Sequence, residues 1–103
     1  MNAEFPANAP NETIHQPIRL RIMAALTAPG VAEEGLDFTR LKNLTGATDG
    51  NLGAHIDTLT RAGYVEVTKA FVGRRPRTTV RVSASGRSAF SAHVGFLRAI
   101  IAG

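Results

Sequence analysis

The chain of 103 residues contains no cysteine and no tryptophan. The missing cysteine excludes disulfides, thiolate metal sites, redox-switch thiols and Cys nucleophiles together, and it fits an expected cytoplasmic location. No apolar run approaches the ~20 residues that a membrane-spanning helix needs. The first ten residues lack the basic start and apolar stretch of a signal peptide, so no membrane association is expected. Acidic residues are absent from the last third. Residues 69–103 carry seven Lys or Arg and no Asp or Glu, whereas residues 1–68 carry five basic and eight acidic residues. The formal charge of +4 is therefore a segment of −3 followed by one of +7. A surface that serves the fold alone mixes both signs. A basic block without acid is an electrostatic footprint for a polyanion.

Catalytic motifs are missing too. There is no glycine-rich phosphate loop, no paired-carboxylate motif and no serine nucleophile elbow. His15, His55 and His93 fall in three separate helical segments without a ligand-pair spacing. No enzymatic activity, metal or cofactor is expected. What is present is a globular composition with 44% apolar residues. The length suits one domain whose core buries roughly two-thirds of the surface exposed by the unfolded chain.

Residues 1–13, with Pro6 and Pro10, read as a mobile arm, with a short helical turn near residues 11–15. A first helix starts at Pro17, where the missing N–H does no harm. Ile18, Ile22, Ala25 and Leu26 recur along it at helical spacing, and Pro29-Gly30 stops it. Asp37 is the expected N-cap of a second helix with Phe38, Leu41 and Leu44 as its apolar stripe, ended by Gly46. Thr48 caps a third helix over residues 48–62, whose buried face is Leu52, Ile56, Leu59 and Ala62, with Gly63 closing it. The period then changes to two. Val65 and Val67, and later Val80 and Val82, flank residues 73–77 (GRRPR), which predicts a β-hairpin with a long basic tip. A last helix runs from about Ser85 to Ile101. Phe90, Val94, Leu97 and Ile101 form one apolar stripe on it, and Ala89, His93, Phe96 and Ile100 form the stripe beside it. Two adjacent stripes are wider than a small core needs, which implies a partner helix.

Two short helices joined through Gly46 and followed by a basic hairpin describe a winged helix-turn-helix. The fold class expected is mainly α with a small β-hairpin (α+β). It comprises a three-helix core with a wing over residues 14–83 and a C-terminal dimerisation helix over residues 84–103. Residues 14–26 (IHQPIRLRIMAAL) resemble the first helix of MarR- and ArsR-like bacterial transcriptional regulators. Residues 36–65 (LDFTRLKNLTGATDGNLGAHIDTLTRAGYV) resemble their helix-turn-helix, and residues 71–82 (FVGRRPRTTVRV) resemble the wing of their short members. Ser85-Gly86-Arg87 with the helix after it is similar to their C-terminal dimer element. The resemblance implies a homodimer on double-stranded DNA, acting as repressor or activator. ArsR-like sensors hold metal through Cys, which this chain lacks. No effector ligand is named by the sequence.

The third helix is the expected reader of the major groove. Gly50, Gly53, Ala54 and Asp57 share one exposed face. Each Gly inside a helix costs up to ~1 kcal/mol relative to Ala, which points to close backbone approach by DNA or, alternatively, by another helix. Thr48 reads first as a cap. Asp49 reads equally as a base contact or as a favourable charge at the helix N-terminus. Asn51 suits adenine. His55 reads more as a partly buried, hydrogen-bonded residue than as a phosphate ligand, and Asp57 can pair with Arg61 four residues on. Arg74, Arg75 and Arg77 are the expected wing contacts, with Lys69, Thr78 and Arg81 as secondary phosphate candidates. Phe90, Val94, Leu97 and Ile101 are the expected dimer face. Two alternatives remain at this stage: a protein-interaction module and an RNA-binding winged helix.

Overall fold

Each helix begins at a side chain that satisfies one of its first free N–H groups. In the computed structural model, which describes residues 10–103, Asn11 caps α1 (Glu12–His15) and Gln16 caps α2 (Pro17–Leu26). Asp37 caps α3 (Phe38–Thr45), Thr48 caps α4 (Asp49–Arg61) and Ser83 caps α5 (Ala84–Ala102). Gly46 ends α3 in the left-handed region at φ +74°. Its N–H reaches back to the Lys42 carbonyl at 2.9 Å, and the chain then turns directly into α4. Residues 1–9 of the expected arm lie outside the described residues. Residues 11–13 belong to α1 and its cap, where the short helical turn is expected.

Three antiparallel strands, β1 (Leu36–Asp37), β2 (Val65–Val72) and β3 (Arg75–Val82), pair in the order β1-β3-β2. With two residues, β1 is too short to display an alternation, and the sequence reading lacks it. Gly35 sets it up: at φ +77° it lies so close to β3 that a Cβ there would collide with the Val80 carbonyl. The hairpin also differs from expectation. Residues 73–77 are not a long loop; only Gly73 and Arg74 turn, and Arg75, Pro76 and Arg77 are strand residues paired with Val72, Phe71 and Ala70. Gly73 has φ +64° and Arg74 a negative φ, the pattern of a type II′ turn, which suits the twist of a hairpin.

The core lies where α2, α3 and α4 meet the sheet. Ile22, Met23 and Leu26 of α2 pack there with Leu41, Leu52, Leu59 and Val80, all fully buried. Each such side chain contributes on the order of 1.5–3 kcal/mol relative to exposure. Two residues expected in this core are outside it. Leu44 is 49% exposed, because on an eight-residue helix Thr45 falls between Phe38 and Leu41 and takes the inward place. The Thr45 hydroxyl is satisfied by the Leu41 carbonyl at 2.7 Å. Ala62 is exposed because α4 ends at Arg61 and Ala62 is its C-cap. α5 is pinned at Gly86, where a Cβ would strike the backbone of Tyr64.

Candidate nucleic-acid interface

α4 divides by helical geometry into two faces. Leu52, Ile56 and Leu59 point into the core, while Gly50, Ala54 and Asp57 are exposed and Gly53 is half-buried. A Cβ built on Gly50 or Gly53 would meet nothing within 4 Å. Packing within the chain therefore does not call for either glycine, and the helix backbone lies open along this face. Thr48 holds the helix start, its hydroxyl accepting the Asn51 N–H at 3.2 Å. Asn51 is exposed beside it.

Asp49 is engaged by the chain itself. Its carboxylate meets Lys42 Nζ at 2.7 Å, across the turn from α3, at a helix N-terminus that also favours negative charge. His55 turns away from the open face. Its Nδ1 accepts from Arg19 Nη1 at 3.0 Å, and Arg19 Nε also bonds the Thr13 carbonyl. Burial, and then the Arg19 charge, push the His55 pKa below the ordinary imidazole value. The neutral ring keeps Nε2–H as its one donor and brings no positive charge to a phosphate. Arg19 is thus a positioning residue between α2 and α4. The expected Asp57–Arg61 pair is not formed; the ion pairs among the described residues are Lys42–Asp49, Arg77–Asp37 and Arg81–Glu66.

Strand register sorts the basic hairpin residues onto two faces, which the sequence groups as one tip. Lys69 and Thr78 are cross-strand partners on the face that carries Val67 and Val80, toward α4. With Phe38, Gly53, Ile56 and Asp57 they line a concavity of about 570 Å³, so the open face of α4 runs on into this side of the hairpin. Arg75 and Arg77 lie on the opposite face, and Arg74 sits in the turn. Arg77 is not free: its Nη2 lies 3.4 Å from Asp37 Oδ2. Arg81 is held by Glu66 at 3.4 Å and by the Glu33 carbonyl at 3.1 Å. Arg75 and Arg77 share a face, and the Asp37 carboxylate offsets part of the repulsion that their spacing implies.

The profile of the family described as winged helix DNA-binding domain matches residues 18–101, from α2 through nearly all of α5. The chain belongs to this winged helix DNA-binding family. Its fold is similar to that of a transcriptional regulator homologue from Pyrococcus horikoshii OT3, at a TM-score of 0.79 and 31% identity, over 90% of this chain and 88% of that one. An uncharacterized protein of Methanocaldococcus jannaschii is 32% identical over 77 residues, which span 75% of this chain and 79% of that protein. In the winged helix, α3 and α4 are the helix-turn-helix, and the β2–β3 hairpin is the wing. No helix among the described residues is long and apolar enough to cross a membrane.

The winged-helix core also claims part of the expected dimer face. Phe90 and Ala89 pack against the domain's own core, and His93 is fully buried within it. Val94 and Leu97 are half-buried, and Ile101 is 84% exposed. Sequence reasoning missed the cluster around His93. The Asn11 N–H bonds His93 Nδ1 at 3.0 Å, and the Asn11 side-chain amide reaches the Tyr64 hydroxyl at 3.0 Å. It also missed that Asp37 serves both as a cap and as the partner of Arg77. β1 brings Asp37 opposite Thr79, two residues from Arg77, but a two-residue strand leaves no signal of that pairing in the sequence.

Proposed function

We propose that this winged helix is a transcriptional regulator of the MarR- and ArsR-like kind that reads a specific double-stranded DNA site as a homodimer. The observation that carries the reading is the open backbone face of α4 at Gly50, Gly53 and Ala54, continuous with the Lys69 side of the wing. A groove-binding helix needs close approach along one face and cations beside it. α4 supplies the first, and the wing supplies the second. Asn51 is the base-reading side chain at the helix start, with Thr48 and Asp49 around it. Asp49 exchanges Lys42 for a cytosine amino group, which frees Lys42 for phosphate. Lys69, Arg74, Arg75, Arg77 and Thr78 hold the flanking backbone.

The second copy docks on the distal half of α5, through Val94, Leu97 and Ile101. A two-fold dimer reads half-sites about one helical turn, ~34 Å, apart or a multiple of it. Selection of bound duplexes from a random pool tests recognition, symmetry and spacing together. A pseudo-palindromic consensus is the expected outcome. Affinity for it is expected to fall with salt at a slope of about −0.9 per neutralised phosphate. Recovery of no consensus, with no mobility shift on any duplex at low salt, contradicts the proposal and favours a protein-interaction module.

A further inference from the structure

Phe71 is 73% exposed and is the one exposed aromatic side chain among the described residues. Val72 beside it is 57% exposed. The two stand at the end of the wing, where strand pairing sets Phe71 opposite Pro76 and Val72 opposite Arg75. Gly73 and Arg74 close the turn between them. The apolar tip therefore sits in a cationic collar of Lys69, Arg74 and Arg75. No Asp or Glu occurs in residues 69–103; Asp37 and Glu66 are paired with Arg77 and Arg81, and Asp57 of α4 shares the concavity beside Lys69. An apolar tip inside a ring of cations is complementary to a target that is anionic outside and apolar within, which describes the stacked bases of a duplex between its phosphates.

The reach fits as well. From the half-buried Val67 the strand runs four steps, roughly 13 Å, to Phe71 and six steps, roughly 20 Å, to Gly73 at the tip. The minor groove that flanks a major-groove helix lies about half a turn away, ~17 Å along the axis. Pro76 holds the tip extended, since its fixed φ removes freedom that insertion would otherwise have to freeze.

Resting on the DNA-binding reading above, we infer that Phe71, backed by Pro76, is a wedge that enters the minor groove beside the α4 site. There it partly unstacks one base step and kinks the duplex. Apolar wedges act in this way when flanked by cations that hold the phosphates. Flexible steps such as TA and CA are then favoured at the wing position, giving specificity where no base edge is read.

The test uses the full chain and the duplex recovered from a random pool, with 2-aminopurine placed about half a turn outside each half-site. Bending is followed by circularly permuted mobility shift. The wild type is expected to raise 2-aminopurine fluorescence and to bend the duplex. Phe71→Ala is expected to lose both and to weaken binding about tenfold, with an unchanged salt slope because no counterion release is lost. Arg75→Ala is expected to do the opposite, keeping the bend and lowering the slope. Phe71 is exposed, and an unchanged thermal midpoint establishes that the variant is folded. A Phe71→Ala variant that bends and binds as the wild type does overturns the wedge while leaving DNA binding intact. A wild type that binds no duplex overturns the underlying reading as well. Phe71-dependent sedimentation with phosphatidylserine vesicles, together with unaltered bending by Phe71→Ala, also overturns the wedge and assigns the tip to anionic lipid.

Discussion

The Nε2 of His93 lies 3.3 Å from the Nδ1 of His15, with the rings edge to face at 83°. His93 is fully buried, and its Nδ1 accepts the Asn11 N–H, so its one proton belongs on Nε2 and the ring is neutral. Burial lowers its pKa from the ordinary 6.5, the neighbouring His15 lowers it further, and Glu12 opposes both. Protonation would turn Nδ1 into a donor facing the Asn11 N–H and would place a charge against His15. The contacts at stake join α1 to α5, and through Asn11 to the Tyr64 hydroxyl.

Stability therefore depends on pH in a defined direction. The folded state favours neutral His93, and His55 is shifted the same way. Above the unfolded value of 6.5 neither state binds the proton, and stability is at its full level. As pH falls below that value the unfolded chain protonates first and stability is lost, until the folded pKa is passed. The urea midpoint is expected to be lower at pH 5.5 than at pH 7.5, and His93→Asn should flatten part of the difference. A midpoint that holds or rises on acidification contradicts the neutral, buried assignment.

The glycines of α4 separate stability from function. A Cβ at Gly50 or Gly53 meets open space, so Gly50→Ala and Gly53→Ala are each expected to stabilise the fold by up to ~1 kcal/mol through helix propensity. On the DNA-binding reading proposed above, the same methyl groups stand between the helix backbone and DNA. Duplex affinity is expected to drop while the thermal midpoint rises. A rise in both would remove close backbone approach as the reason for the glycines.

Ile101 and Leu97 test the proposed α5 interface at two depths. Ile101 is 84% exposed in the single chain, so Ile101→Asp leaves the monomer fold untouched and is expected to weaken dimerisation in size-exclusion chromatography. Leu97 is half-buried, and Leu97→Asp should yield monomers with some loss of stability. A dimer that survives both changes is held elsewhere.

Helix positions and caps were legible because their signals are local. Asp37, Gly46, Thr48 and Gly63 mark ends by chemistry that acts within four residues. Leu44 shows the limit of that kind of reading. Thr45, whose carbonyl Arg21 Nη1 bonds at 3.1 Å, takes the inward place although Leu44 is the more apolar of the two. The tightness of the wing's turn is hidden for another reason. Gly73, Pro76 and three arginines look like loop, yet one positive φ at Gly73 suffices for a tight turn, and Pro76 is tolerated opposite Phe71 near the strand end. Once Arg75 to Arg77 are strand, alternation assigns their faces. The sequence offers no sign that Arg77 would find Asp37, because that pairing crosses from β3 to the cap of α3.

Asp37 therefore governs how much of the wing charge is available. Its Oδ1 accepts the Arg40 N–H at 2.8 Å as the cap of α3, while Oδ2 faces Arg77 at 3.4 Å. Asp37→Asn keeps an oxygen for the cap and puts an uncharged amide toward Arg77. The exposed ion pair is worth about 0–1 kcal/mol, so little change in the thermal midpoint is expected. Asp37→Ala removes the cap too and should cost about 0.5–2 kcal/mol. For DNA the two variants agree: Arg77 is released and one negative charge leaves the wing. Duplex affinity at low salt is expected to rise several-fold, with the salt slope steeper by up to about 0.9 as one more phosphate is neutralised. Arg77→Ala should abolish the gain when combined with Asp37→Asn. An Asp37→Asn protein with unchanged affinity and slope would mean that Arg77 faces away from the duplex, leaving Lys69, Arg74 and Arg75 as the wing's phosphate contacts.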